Sequence, residues 1–405
     1  MRPPKHLRPT DLRGAARLAV DATAALTDLV EAMHQRIARV PGTGVNDGRT
    51  GGITGLVYKS VRGVTRLVGG SVDALLGLLA PALATLDATP EGSTEREAVL
   101  AALNGVLGDH LLQSANPLAT MMSFRSGGEA LHLDRAALAE QLPQAGTQPL
   151  VLLHGLCMNE LQWQREGHDH GAALARDLGF TPVYVRYNSG QHISTNGREL
   201  APLLQQLLAA WPQPVQRLVL MGHSMGGLVA RSAVHHAALA RLSWPAQLHD
   251  LVCLGSPHHG APLERAGHWV DIVLGATPYA APLARLAKVR SAGITDLRHG
   301  YLVDADWEGG DRFARTGDPR QPLPLPSGVR CFAAAACLGA DASDVKSRLL
   351  GDGLVPLDSA LGRHREAART LAFEPQRQWV GHGMNHLELL SRPEAYAQLC
   401  QWLRR

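Results

Sequence analysis

The sequence predicts an α/β protein: a mainly parallel sheet covered by helices on both faces, with a helical segment in front of it. Three observations carry this. Short apolar runs alternate with helical patterns from about residue 150 onward, the texture of the chain changes after Pro117, and the apolar residues before that point recur at helical spacing.

In the first segment, residues 1–118, the helical spacing is seen in Leu12, Ala15, Ala16 and Val20, then in Ala24, Leu26, Leu29 and Val30. Breaks fall from Pro41-Gly42 to Gly52 and around Pro90. Thr94 with Glu97 has the spacing of a capping box, for a helix running through Leu103 toward His110. The second segment, residues 119–405, begins with a predicted β-hairpin, Met121 to Arg125 and Ala130 to Leu133 around Ser126-Gly127-Gly128. Strands are then expected at Leu150 to Leu153, Pro182 to Tyr187, Arg217 to Met221, Leu248 to Leu254, Val329 to Ala335 and Gln378 to Val380. Helices are expected at Gly171 to Leu178, Gly197 to Ala210, Met225 to Ala240 and Pro393 to Leu403. Ala261 to Pro326 separates two strands by far more than the usual connection of about 2–6 residues, so it is expected to form a cap insertion over the sheet. Val270, Ile272, Val273, Tyr279, Leu283 and Leu286 supply its apolar groups, and Trp307 and Phe313 bulky walls.

Bulk properties narrow the function. The net charge of +3, from 39 basic and 36 acidic residues, is too near balance to attract polyanions, so nucleic acid is not an expected partner. Cys157, Cys253, Cys331, Cys337 and Cys400 are odd in number and sit mostly in apolar runs, as core thiols in a reducing compartment do. No apolar signal-peptide core follows the basic start, and the most apolar stretch, Ala74 to Leu86, is short of a ~20-residue span and contains Pro81. A cytoplasmic protein, able to touch a membrane surface, is the expectation.

The chemistry is concentrated in Gly222-His223-Ser224-Met225-Gly226-Gly227, between a predicted strand and a predicted helix. A nucleophile elbow turns so tightly there that small residues are needed around the serine, whose hydroxyl then projects from the sheet's carboxyl edge. Ser224 is therefore the candidate nucleophile. Such a serine needs a base to take its proton and backbone donors for the oxyanion. Met225, opening the helix, offers one N–H, and Leu156 in His154-Gly155-Leu156, after the strand Leu150 to Leu153, offers the second. Asp352, between Gly351 and Gly353, is the candidate acid, with Asp344 and Asp358 as alternatives. His386, after the last strand, is the candidate base, with His382 as its rival. The chain order Ser, Asp, His fits this arrangement.

These motifs, with Leu254-Gly255-Ser256-Pro257-His258-His259-Gly260 and Asn385 to Leu390, together resemble the bacterial lipase and GPI-inositol deacylase-like branch of the α/β-hydrolases. The resemblance covers roughly Met121 to Arg405. It implies an α/β-hydrolase fold, a Ser224, Asp352, His386 triad, an oxyanion hole at Leu156 and Met225, and hydrolysis of a small-molecule or lipid ester through an acyl-enzyme without a cofactor. An amidase, thioesterase or acyltransferase would use the same triad, and a silent binding or scaffold protein is the reading from outside enzymology. Some of these lipases hold calcium through an aspartate just after the catalytic histidine. Glu388 stands in that region here, so no calcium site is carried over, and the helical segment has no recognised counterpart. His168-Asp169-His170 is read as surface rather than metal site, His258-His259 as bordering the cleft through packing, and Cys157 as a packing residue.

Overall fold

The structure is a computed structural model that describes residues 10–11, 13–21, 94–261, 291–309, 320–339 and 351–404. Two compact units emerge. Met1–Arg96 with Leu111–Ala119 form the first, and Glu97–His110 with Thr120–Arg405 the second.

In the first unit residues 13–21 are helical. Asn116 ties this helix to the 111–119 segment: its Nδ2 donates to the Gly14 carbonyl at 3.0 Å while its Oδ1 accepts from Leu118 N. Arg96 Nε donates to Asp11 at 2.6 Å.

The second unit is built on β1 (Ser123–Ser126), β2 (Glu129–Ala130), β3 (Pro149–Leu153), β4 (Thr181–Arg186), β5 (Leu218–His223), β6 (Leu248–Leu254), β7 (Arg330–Cys337) and β8 (Gln378–His382). They form one sheet in the order β2-β1-β4-β3-β5-β6-β7-β8. The β1–β2 and β1–β4 pairs are antiparallel and every other pair is parallel. All of β3 and β5 and nearly all of β7 are buried, which is why these strands read as continuous apolar runs: a parallel sheet covered on both faces leaves no side of a central strand to water. Helices of this unit include α1 (Thr94–Gln113), α2 (Arg135–Gln141), α3 (His170–Leu178), α4 (Ile193–Ala209), α5 (Met225–Leu239), α6 (Ala292–His299), α7 (Leu357–Ala360) and α8 (Pro393–Leu403), and one of its short 3₁₀ turns is His386–Leu390.

Residues 97–110 of α1 belong to the sheet unit, and they lie on the loop that follows β3. Asn159 Nδ2 donates to the Glu97 carbonyl at 3.0 Å, and the Glu97 carboxylate pairs with Arg186, which also binds Glu160. A Cβ on Gly105 would overlap Cys157 Sγ and lie 2.8 Å from the Cys157 Cα. This close packing was not part of the sequence expectation, which treated residues 1–118 as a separate segment.

Other expectations can be compared element by element. Strand β5 runs two residues further than expected, through His223, and β7 and β8 each extend by two, to Cys337 and His382. Helix α4 begins at Ile193, four residues before the expected Gly197, because the buried Asp296 carboxylate, far away in sequence, accepts from Ile193 N at 2.8 Å and caps the first turn. Of the expected cap, Val270, Ile272, Val273, Tyr279, Leu283, Leu286 and Phe313 lie outside the described residues, as does Asp344. Trp307 stacks on His192, with ring centroids 3.7 Å apart, and donates to Ser194 Oγ at the start of α4. The five cysteines are all buried and no disulfide joins them. Among the described residues no helix is long and apolar enough to cross a membrane.

Candidate active site

Strand β5 is central, and the turn that ends it brings Ser224 to the carboxyl edge of the sheet. The turn is tight enough that a Cβ on Gly222 would overlap the backbone of Gly226 and Gly227, and one on Gly226 would overlap the Leu153 carbonyl at the end of β3. Ser224 itself has φ 55° and ψ −120°, a conformation that L-residues rarely adopt and that costs of order ~1–3 kcal/mol. Its N–H is used by the Leu254 carbonyl of β6 at 2.7 Å. The side chain is 1% exposed, and among the described residues its Oγ has no hydrogen-bond partner.

Asp352 and His386 come together from the loops after β7 and β8. His386 Nδ1 donates to Asp352 Oδ2 at 2.6 Å, and His386 N donates to the Asp352 carbonyl at 3.2 Å. Asp352 Oδ1 is occupied separately, accepting from Leu354 N at 2.9 Å and Val355 N at 2.8 Å. A carboxylate facing Nδ1 fixes the proton there and leaves Nε2 as the basic nitrogen. Asp358 sits on α7, half-buried, and His382 is exposed at the end of β8.

Ser224 and His386 meet the same stretch of β6. Ser224 N binds Leu254, and the backbone of Gly255 approaches His386 so closely that a Cβ there would lie 3.0 Å from the ring's Cε1. His223, next to Ser224, lies with its ring centroid 4.7 Å from that of His386, and its Nε2 donates to the His386 carbonyl at 3.2 Å.

The turn that carries His386 is held from several sides. Asn385 caps it by accepting from Leu387 N and Glu388 N, while Glu388 returns a bond to Asn385 N, a reciprocal capping box. Glu388 thus serves the turn in the place where a calcium-binding aspartate would stand. His170 Nε2 donates to the Leu389 carbonyl at 2.8 Å, and its Nδ1 accepts from His168 Nε2 at 2.8 Å. This corrects the reading of His168-Asp169-His170 as surface: His170 is fully buried, and Asp169 caps α3 while accepting from the Tyr184 hydroxyl.

Of the expected oxyanion donors, Met225 directly follows Ser224 in the chain and Leu156 directly follows Gly155. Met225 opens α5, and Leu156 lies in a turn closed by Met158 N donating to the Gly155 carbonyl at 3.3 Å. Gly155 faces the elbow, where a Cβ would stand 3.1 Å from Ser224 Cβ. His154 anchors the turn by donating from Nδ1 to the Gly155 carbonyl, accepting Tyr187 N at Nε2, and stacking on the Tyr187 ring. Cys157, which follows Leu156, has φ 57° and donates its N–H to Ser189 Oγ. Burial pushes its thiol up to about 12, which fits packing and not nucleophilic chemistry.

Burial also holds His154 down to about 3 and His170 down to about 4, so both are neutral in the folded chain. Unfolded, each takes up a proton near pH 6.5. The unfolded state therefore binds more protons between those values, and stability is expected to fall as pH drops below about 6.5, by up to ~1.4 kcal/mol per pH unit for each histidine. Urea midpoints measured from pH 7.5 to 4.5 check this; midpoints that stay level across the range would contradict it.

Among the described residues no cluster of histidine, cysteine or acidic side chains could hold a metal ion. Residues 144–318 match the family model of the PGAP1-like alpha/beta domain, a range that includes Leu156, Ser224 and Met225. No curated protein matches the chain. Similar solved structures include the mature form of a Bacillus licheniformis lipase, at 18% identity over 63% of this chain and 91% of that one, with a TM-score of 0.39. Others are a thioesterase of prodiginine biosynthesis from Streptomyces coelicolor, at 17% over 64% and 92% with a TM-score of 0.36, and Aspergillus fumigatus lipase B, at 11% over 96% and 84% with a TM-score of 0.39. The mainly parallel eight-stranded sheet, flanked by helices and turning from strand into helix at Ser224, has the α/β-hydrolase fold, and residues 144–318 of it are similar to the PGAP1-like alpha/beta domain.

Proposed function

We propose that the protein is a serine hydrolase of carboxylic esters, with Ser224 as nucleophile, His386 as base, Asp352 as the acid that orients it, and the Leu156 and Met225 N–H groups as oxyanion donors. The observation that carries this reading is the buried 2.6 Å bond between His386 and Asp352 beside a serine held at a strained elbow. In the first half-reaction Ser224 Oγ attacks the ester carbonyl as His386 Nε2 takes its proton. The tetrahedral intermediate collapses to an acyl-enzyme as the same proton passes to the departing alcohol. Water, deprotonated by His386, then attacks the acyl carbon; the free acid leaves and Ser224 regains its proton.

Two parts of this reading concern substrate and surroundings. The proposed cap, residues 261–326, would cover Ser224 and select the acyl chain, which suits a lipid ester met at a membrane surface. Each buried CH₂ contributes ~0.8 kcal/mol, about fourfold in rate, so turnover should climb with acyl length until the pocket is full. A p-nitrophenyl ester series from acetate to palmitate tests both parts. Turnover rising to an optimum supports the reading. Turnover of the matching thioesters or anilides with none of the esters would overturn it.

The packing of α1 on the loop after β3 leads to a second expectation. An alanine at Gly105 must push Cys157, and with it the adjoining Leu156 N–H, because the clash is with Cα and backbone N as well as with the thiol. Gly105→Ala is expected to lower kcat roughly tenfold to a hundredfold, as a misplaced oxyanion donor does, beyond any loss of stability. Parallel kinetics and thermal melts check it; a variant with a lower midpoint and unchanged kcat would contradict it.

A further inference from the structure

A cavity of about 30 Å³ is lined, among others, by Arg231, His258, His259, Asp306, Arg320 and Arg369, and by none of Ser224, Asp352 and His386. Arg231, on α5, is 3% exposed, and no carboxylate pairs with it among the described residues. Its Nη2 donates to the Leu323 carbonyl at 2.6 Å and its Nη1 to His258 Nδ1 at 3.1 Å. Because Nδ1 accepts, the His258 proton sits on Nε2. Both that Nε2 and Arg231 Nε are buried with no hydrogen-bond partner among the described residues, so the two side chains leave two donors unanswered.

Three arginines and one carboxylate line the cavity among the described residues. Asp306 is the only carboxylate among its described lining residues, and its oxygens are occupied by backbone: Oδ2 accepts from Leu302 N and Val303 N, and Oδ1 from Gln321 N. Arg320 donates to the His258 carbonyl, and Arg369 pairs with Glu366 and donates to the Arg320 carbonyl. Burial pushes Arg231 down to about 10, which still leaves it charged at neutral pH, and burial pushes His258 well below its ordinary value, leaving it neutral. A charge taken out of water without a counter-ion is strongly destabilising, and buried donors without acceptors add to that cost.

From this geometry we infer that the cavity is a binding site for a compact monovalent anion of halide size, accepting from Arg231 Nε and His258 Nε2. A cavity of this volume admits a particle about the size of a water molecule. Its rim at Gln321 and Pro322 is exposed, which gives a free ion a way in. A bound anion would tie the helix that follows Ser224 to the loop after β6 and to the 320–323 segment. That loop in turn binds α7, through His258 N to the Ser359 carbonyl and His259 N to Ser359 Oγ. The inference is independent of the ester reading, since it concerns stability.

The test is thermal unfolding of the full chain in sodium chloride against sodium gluconate at fixed ionic strength, gluconate being too large for the cavity. The expected result is a saturable rise of at least ~2 °C as chloride replaces gluconate. Arg231→Met is expected to lose that rise. Equal wild-type midpoints in the two salts, at every proportion, would overturn the inference and leave water as the occupant. The wild-type comparison decides by itself where Arg231→Met yields no folded protein.

Discussion

Ser224→Ala is expected to keep the fold and to lose roughly 10⁴- to 10⁶-fold in kcat on an ester substrate, about 5–8 kcal/mol of transition-state stabilisation. The size follows from the covalent route: without Oγ no acyl-enzyme forms, and the oxyanion donors and binding alone sustain what turnover remains. Stability should change little. Alanine keeps a Cβ at φ 55°, so it inherits the same backbone cost, and the hydroxyl it removes has no hydrogen-bond partner among the described residues. Ser224→Gly separates the two effects. It should be as inactive as Ser224→Ala yet melt at a higher temperature, because relief of ~1–3 kcal/mol of strain exceeds the ~0.5–1 kcal/mol that glycine's extra freedom in the unfolded chain costs. Kinetics and melts on both variants check this. Ser224→Ala retaining more than about a tenth of the wild-type kcat would remove Ser224 from the role of nucleophile.

Asp352→Asn is expected to lose about 10⁴-fold in kcat with the fold intact. The reason lies in how the two carboxylate oxygens are used. Oδ1 accepts from Leu354 N and Val355 N, which can only donate, so an asparagine must put its carbonyl there. Its NH₂ then faces His386 Nδ1, which must give up its proton and accept. The imidazole is left protonated at Nε2, where it cannot take the serine proton. The double variant Ser224→Ala, Asp352→Asn should be no worse than Ser224→Ala alone, since members of one catalytic unit are not additive. His382→Ala, which removes an exposed side chain at a strand end, should leave kcat within about twofold. Kinetics on the three variants check the set; an Asp352→Asn enzyme within about tenfold of wild type would contradict it.

Much of the candidate site is legible in the sequence because its constraints are local. The elbow must be built from small residues next to an apolar strand, and Gly222, Ser224, Gly226 and the run from Leu218 to Met221 meet that in one short stretch. Strands β3, β5 and β7 were legible because burial on both faces leaves them apolar throughout. Asp352 and His386 could be singled out by chain order, though only the folded chain brings the two side chains into contact.

What was hidden depends on partners remote in sequence. The early start of α4 needs the Asp296 carboxylate, about a hundred residues away. His170 looked like a surface residue because its acceptor, the Leu389 carbonyl, comes from the far end of the chain. A glycine in a helix is either a weak point or room for a neighbour, and Gly105 and Gly108 are of the second kind, giving room to Cys157 and Asn188. A glycine inside a helical pattern carries both meanings, and only tertiary contact separates them. Arg231 was silent, since a buried arginine without a carboxylate has no sequence signature, and His258, expected only to border the cleft through packing, accepts from Arg231 at Nδ1.

The central claim is that Ser224 is an activated nucleophile, and labelling with a fluorophosphonate followed by intact-mass and peptide mapping tests it most directly. The account predicts one adduct per chain, mapped to Ser224, formed rapidly in the wild type, severely slowed in Asp352→Asn and absent in Ser224→Ala. A folded wild-type chain that takes up no label, or an adduct mapped to another residue and undiminished in Ser224→Ala, would contradict it.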